Sequence, residues 1–486
     1  MEDKFVQNLL TLQCGPRVRA VLFDTSVFMK VDLTRPPKSW RLVTAVWGER
    51  FVERFLTTTL PSILSPNNLP SLSLGEKVEY RILCQRADIG AIERHPLYGR
   101  LKQLVTIEFV PIDEIQGEGK YGRLAQVHRR GMEGALEGDV GLIFLTADGI
   151  WSDGTLASLK RISSSGSQVI LMDGPRVVEH SFRREMARGH IGTGGEISIS
   201  PRALMKLAAE HIHPNEASWN WDSDIIHDVP FQLHWTVPGQ GILTRGFCLF
   251  PLYVRLIRPL GDFIGAIDHG LIETIIDDAA NIYYCSDSDE MAVVSIDAIG
   301  FSSANFKRTD KTDRILRIAK WVSAEATRQN IDAAFHPARR HFTDLDAERW
   351  SRVERLSECH LNAVLGCCQL LDVHAELQRR DLNAAAGLLA FALHENGLAR
   401  WPGKLGPRTF LVPSEDAVRD WLADPATGDF WRLDRLSVIR LLQRHVRDGL
   451  VPSMSIVQSS DALKIELADI QIRNGLIHVI DRVLAN

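Results

Sequence analysis

Strand and helix patterns alternate between Arg41 and Val178 and predict an α/β protein built on a mostly parallel sheet. Three observations carry that prediction. Apolar, β-branched runs of strand length recur: RLVTAVW at 41–47, KVEYRILC at 77–84, VTIEFVPID at 105–113, DVGLIFLTAD at 139–148 and QVILMDGPRVV at 168–178. Helical stretches separate them, which is the spacing of parallel βαβ units. The fourth run is almost continuously apolar, as a strand covered on both faces is.

Taken in order, residues 1–40 read as an N-terminal extension or edge addition ending in the Pro-rich connector DLTRPPKSW. After the first strand, GERFVERFLTTTLPSIL spaces Phe51, Val52, Phe55, Leu56 and Leu60 at helical intervals. ADIGAIERHPLYGRLKQL, KYGRLAQVHRRGMEGALEG and TLASLKRISSSG supply the later crossovers. RGHIGTGGEISIS is glycine-rich and fits neither a P-loop nor a GxGxxG turn, so it reads as a lid or as a plain surface loop. PRALMKLAAEHIHP is a helix whose His211 and His213 point in different directions and cannot share one metal without distortion. The Trp-, His- and Asp-rich WNWDSDIIHDVPFQLHW is either a stacking surface for a ligand or buried packing. Beyond position 305 amphipathic helical segments dominate, through to ALKIELADIQIRNGLIHVIDRVLAN. The expected organisation is thus 1–40, an α/β domain over 41–304 and a mainly helical domain over 305–486.

Composition narrows the function. At 486 residues the chain exceeds what one growing core serves. A formal charge of -5 gives no electrostatic reason to expect nucleic acid. No apolar run has the length of a membrane span, and the N-terminal residues lack the basic and apolar segments of a signal peptide, so the expected compartment is the cytoplasm. Seven scattered cysteines without a CxxC pair suit buried thiols better than zinc or a disulfide framework.

In parallel sheets ligands gather at the carboxyl ends of the strands, so the loops after Val46, Cys84, Asp113, Asp148 and Asp173 are the ones to search. The fourth strand runs into TADGIWSDGTL, placing Asp148 and Asp153 around a Gly-containing turn at such an end. NIYYCSDSDEMAVVSID sets an acidic knot, Asp287-Ser288-Asp289-Glu290, between two strand-like runs. Three carboxylates so close repel one another unless a cation sits among them, which suits a divalent metal; a solvated hairpin turn is the plainer alternative. FHPARRHF offers Arg339 and His341, beside His336 and Arg340, to neutralise a diphosphate, or simply marks a helix boundary at Pro337.

These features resemble the nucleotide-sugar-dependent glycosyltransferases of the GT-A fold, over roughly residues 41–300. KYGRL, with Arg123, is similar to the Lys-x-x-Arg-Leu helix that precedes the metal strand in several such families, and Asp148 follows a buried strand where the family places Asp-x-Asp. The resemblance implies a Rossmann-type sheet, a nucleotide-sugar donor held partly by Arg123, Asp148, Asp153, Arg339 and His341, and a Mg²⁺ or Mn²⁺ on the diphosphate. Asp148, Asp287 and Asp289 are the implied ligands. It also implies a base for the acceptor hydroxyl, for which Asp268, at the start of a helical run, is similar in position; an N-cap role is the alternative. The spacing departs from the family: four residues separate Asp148 from Asp153, and the literal Asp-x-Asp, Asp287-Ser288-Asp289, comes much later. Either the two acidic clusters meet in space or the first works without a strict metal. The expected activity is sugar transfer to a glycan, lipid or protein hydroxyl. A non-catalytic binding protein on a degenerate GT-A-like fold, or a metal-dependent phosphoryl-transfer or hydrolytic enzyme, is the alternative.

Overall fold

The computed structural model of the chain describes residues 31–117, 119–227, 229–261, 263, 265, 267, 269–276, 279–300, 306–309, 311–396, 407–427, 435–459, 463–472 and 475–484. The predicted strands and one further strand form a seven-stranded sheet from β1 (Ser39–Ala45), β2 (Val78–Cys84), β3 (Thr106–Pro111), β4 (Val140–Leu145), β5 (Val169–Met172), β6 (Phe250–Arg255) and β7 (Ile282–Tyr284). Their order is β7-β5-β6-β4-β1-β2-β3. β6 runs antiparallel to β4 and β5, and the other pairings are parallel. The α/β reading with a mostly parallel sheet therefore holds. The sequence pattern had not singled out β6.

The pleat explains why β4 is apolar throughout. Ile143 and Leu145 face one core with Leu42, Phe55 and Leu60, whereas Leu142 and Phe144 face the other with Val43, Val127 and Met132. Helices Glu49–Arg54, Leu60–Ile63 and Thr155–Ser163 cover the first face; Gly119–Met132 and His269–Ile275 cover the second. Each Leu or Ile wholly buried this way contributes about 1.5–3 kcal/mol. Register is fixed on both sides of β1, where Leu42 faces Tyr80 and Ile143.

Past their carboxyl ends β4, β5 and β7 feed a second, three-stranded sheet of Gly149–Trp151, Arg176–Val178 and Val293–Asp297. A third sheet pairs Gln232–Val237, Gly241–Gly246 and Ala338–His341, all antiparallel. It shares a core with helices Lys311–Glu325 and Ala347–Arg379, in which Trp235 and Leu243 meet Ile318 and Val364. Helices dominate between 311 and 396 as predicted. Two later segments differ: Ile465–Ile472 and Gly475–Ile480, expected as helix, are strands in a four-stranded sheet with Arg408–Pro413 and Val446–Asp448. Gly475–Ile480 pairs with Arg408–Pro413 and Ile465–Ile472 pairs with Gly475–Ile480, which overrides the helical preference of the Leu-, Ala- and Glu-rich stretch. Leu33–Asn486 form one compact unit by contact.

Candidate functional site

The acidic knot is not a hairpin turn. β7 belongs to the seven-stranded sheet, whereas Val293–Asp297 pairs with Gly149–Trp151 and Arg176–Val178, so Asp287–Glu290 lie on a crossover leaving the carboxyl end of β7. The crossover is pinned to the strand Ala338–His341: Arg339 N donates to Ser286 O at 2.8 Å and Ser288 N to Arg339 O at 3.0 Å. His341 N donates to Ser288 Oγ at 3.1 Å. The other edge of that strand lies so close to Gly241 that a Cβ there would stand 2.0 Å from Arg340 O. Glycine is the residue that permits this approach.

These bonds bring Asp287, Asp289 and His341 together, each offering a ligand atom within 4.8 Å of the others. His341 is 1% exposed; its Nδ1 lies 2.8 Å from Thr343 O and its Nε2 lies 2.8 Å from Asp287 Oδ1 and 3.7 Å from Asp289 Oδ2. The Thr343 carbonyl requires the proton on Nδ1, which leaves Nε2 aimed at the carboxylates. Burial works against a charged ring, but the Asp287 bond, the Thr343 carbonyl and the field of the two carboxylates outweigh it and raise the His341 pKa. Burial likewise opposes ionisation of Asp287, and the His341 bond with the Asp289 backbone N–H lowers its pKa overall. Arg202 Nε donates to Asp289 Oδ1 and Oδ2 at 3.1 and 3.0 Å, and Nη1 to Asp344 Oδ1 at 2.6 Å. Two carboxylates and an imidazole with a pinned far nitrogen fit a hard or borderline divalent cation such as Mg²⁺ or Mn²⁺. A cation held here would take the place of the Nε2 proton that His341 shares with Asp287 and of the Arg202 contact on Asp289.

Behind the knot lies a buried polar network. Arg340 Nε donates to Asp173 Oδ2 at 2.6 Å and Nη2 to Gln232 Oε1 at 2.7 Å, while Nη1 stands 3.6 Å from Glu216 Oε2. His234 Nε2 lies 3.1 Å from Gln232 Oε1. Burial pushes the Glu216 carboxyl up to about 7, against the pull of Arg340 and Arg176. Asp173, Asp287, Ser288 and Arg340 line one small pocket, so the network backs the candidate cation cluster.

The remaining predicted residues sit elsewhere. Asp148 faces Arg54, Arg176 and Asp297 rather than the knot, and burial raises its pKa. Asp153 accepts from Asn67 N and Nδ2, both at 2.8 Å, and serves as a loop pin. Of the residues offered for the metal, Asp287 and Asp289 gather with His341, and Asp148 is not part of that group; the crossover that carries them is bridged to Arg339. Arg123 lies with its guanidinium 5.3 Å above the Trp47 ring and donates to Ile112 O, at the carboxyl ends of β1 and β3. β1 lies between β2 and β4, where the strand order reverses, which is the ligand crevice of such sheets. Arg339 reaches the knot through its backbone, and its side chain binds Glu354 at 2.7 Å. Asp268 lies outside the described residues.

Two other sequence readings resolve toward structure. Trp221 stacks on His360 at 4.1 Å and on Trp235 at 5.6 Å inside the core, so this part of the Trp-rich segment is packing. The glycine-rich loop is closed by a bridge between Ile191 and Ile197 and by Arg100 on Glu196 at 2.8 Å. Sequence reading missed Arg202 and Asp344, for which no local pattern exists. Asp173 was signalled by its place at the end of β5.

Neither a protein-family model nor a curated protein matches the sequence. Among solved structures, similarity extends to a mannosyltransferase from Pyrobaculum calidifontis in complex with GDP-Man and Mn²⁺ (13% identity, TM-score 0.26, 75% of this chain and 83% of that one). It extends also to mouse xyloside xylosyltransferase 1 (12%, TM-score 0.20, 31% and 57%). A protein assigned as a glucose-1-phosphate thymidylyltransferase from Bacillus anthracis, solved with sucrose, gives 11%, TM-score 0.19, 30% and 58%. The chain thus spans less than two thirds of the latter two. Superpositions this loose carry no argument about this chain, and the functional reading rests on its own residues.

Proposed function

We propose that the protein is a metal-dependent glycosyltransferase acting on a nucleotide-sugar donor. The observation that carries the proposal is the Asp287–Asp289–His341 cluster on the crossover at the carboxyl end of β7. In this reading Asp287, Asp289 and His341 hold a Mg²⁺ or Mn²⁺, which supplies positive charge to the donor diphosphate as it departs. The His341 proton on Nδ1 stays with Thr343 throughout, so Nε2 remains available as a ligand. Arg202, already bridging Asp289 and Asp344, is placed to turn toward phosphate oxygens when the cation arrives. Arg123 and the Trp47 ring take the nucleoside in the crevice beside β1. Asp268 is carried as the base for the acceptor hydroxyl on its sequence position alone.

A thermal-shift panel of UDP-, GDP-, CMP- and dTDP-sugars with and without Mn²⁺ tests the reading, because a ligand binding only the native state raises apparent stability. One donor class should raise Tm in Mn²⁺ and lose that shift in Asp287→Asn. No shift from any donor with Mn²⁺ would overturn it. For the base, Asp268→Asn should abolish transfer and leave the donor shift intact.

A further inference from the structure

Behind the knot, Glu216 is a buried acid without a fully committed counter-charge. It lies on the short helix Pro214–Ser218 and is 3% exposed. From strand Ala338–His341, Arg340 Nη1 stands 3.6 Å from Glu216 Oε2, and from strand Gln232–Val237, His234 Nε2 stands 3.7 Å away. Arg176 faces it from strand Arg176–Val178, and Asp173 from the loop after β5. Among the described residues neither Glu216 Oε2 nor Arg340 Nη1 has a hydrogen-bond partner. The nearby imidazoles add no charge. Burial and the field of Arg340 hold His234 neutral. His213, which caps the same helix, has both nitrogens at backbone groups, and His227 Nδ1 lies 3.2 Å from Val229 O. Arg340 is bound by Asp173 through Nε and Nη2, and the Arg176 guanidinium lies 3.9 Å from Asp297. One guanidinium thus serves two buried carboxyls. Burying a charge without full pairing is costly, so the carboxyl standing off from Arg340, Glu216, is the one that takes up a proton.

Arg340 joins this acid to the cation cluster in two ways. Along the strand it lies between His341 and Arg339, whose N and O bind Ser286 and Ser288 of the crossover. Across the interior, Arg340 and Asp173 border the same small pocket as Asp287 and Ser288, so charge on one side is felt on the other. With Glu216 protonated, Arg340 and Asp173 offset each other. With Glu216 ionised, the group of three is net negative, which favours a divalent cation beside it. We infer that Glu216 is a positioning residue for the cation: ionised, it draws on Arg340 and strengthens the hold of Asp287, Asp289 and His341, and protonated, it weakens that hold. The inference rests on the cation reading of that cluster. By linkage a bound cation favours the ionised carboxylate, so it lowers the Glu216 pKa from its value of about 7.

The test measures the Mn²⁺ affinity of the full chain, wild type and Glu216→Gln, at pH 5.5 and pH 8. Comparing the two proteins at each pH cancels the proton that Mn²⁺ displaces from His341, which is common to both. They should bind Mn²⁺ alike at pH 5.5, where Glu216 is protonated in the wild type. At pH 8 the variant should bind about tenfold more weakly, which corresponds to a fall of about one unit in the Glu216 pKa on cation binding. His341→Gln is the second variant if Glu216→Gln loses its circular-dichroism spectrum. Its ligand proton is gone, and its weakened Mn²⁺ affinity should still rise from pH 6 to pH 8. A gap between wild type and Glu216→Gln that is equal at both pH values makes Glu216 a packing residue and overturns the inference. No gap at either pH, or a flat profile in His341→Gln, overturns it as well. No Mn²⁺ binding by the wild type at pH 8 removes the cation reading itself, and this inference with it.

Discussion

Replacing Arg340 by Met tests how the site strand is held. Arg340 is 5% exposed and is bonded to Asp173 at 2.6 Å and Gln232 at 2.7 Å, with Glu216 at 3.6 Å; Asp173 and Glu216 are 7% and 3% exposed. Met keeps the volume of the side chain but leaves two buried carboxyls without their nearest cation. Removing one partner of a buried pair costs about 3–5 kcal/mol. The loss should depend on pH in a stated direction. In the wild type, Glu216 has a folded-state pKa of about 7, above its unfolded value of about 4.3. The native state therefore binds more protons than the unfolded state between these limits, and this group's contribution falls by about 3–4 kcal/mol as pH rises from 4 to 7. Without Arg340 the Glu216 carboxyl becomes harder to ionise, so the fall should continue above pH 7. Thermal unfolding followed by circular dichroism at pH 5, 6, 7 and 8 reads this directly: the variant should lose more against wild type at pH 8 than at pH 5. An equal loss at both pH values, or a loss below about 1 kcal/mol, would refute the assignment of Arg340 as the counter-charge of a buried acidic pair.

Further outcomes follow from the same geometry. Arg202→Gln should tighten Mn²⁺ binding in a calorimetric titration without nucleotide, because it removes the cation now bonded to both oxygens of Asp289. It should weaken donor binding if Arg202 turns to phosphate. Asp148→Asn should leave Mn²⁺ affinity unchanged, since Asp148 faces Arg54, Arg176 and Asp297. Trp221→Ala should cost about 3–5 kcal/mol in denaturant unfolding while the folded fraction keeps its donor affinity, because the ring is a core stack on His360 and Trp235.

The legible parts of this protein are those governed by local pattern. β1 to β4 were readable because burial on both faces demands unbroken β-branched and aliphatic runs, and the boundaries fall within a few residues of the apolar stretches. β6 was not, since FPLYVR carries no alternation and its antiparallel place is set by β4 and β5. Ile465–Ile472 was misread for the opposite reason: its composition favours helix, and only the pairing with Gly475–Ile480, itself paired to Arg408–Pro413, makes it a strand. At the site, Asp287 and Asp289 announced themselves by charge density and His341 by its basic surroundings. Their meeting depends on the bridge between Asp287 and Arg339, a long-range backbone contact that no spacing rule encodes. The pairing of Asp148 with Asp153 was drawn from a resemblance in position; Asp153 is bonded to Asn67, and Asp148 lies buried in the field of Arg54.

The account turns on one cation at Asp287, Asp289 and His341. Titration of the full chain with Mn²⁺ in the presence of a nucleoside diphosphate, followed by electron paramagnetic resonance of the free ion, measures it directly. The structure predicts one bound Mn²⁺ per chain, lost in Asp287→Asn, weakened in His341→Gln and retained in Asp148→Asn. Stoichiometric binding that survives Asp287→Asn, or no binding in the wild type, contradicts it.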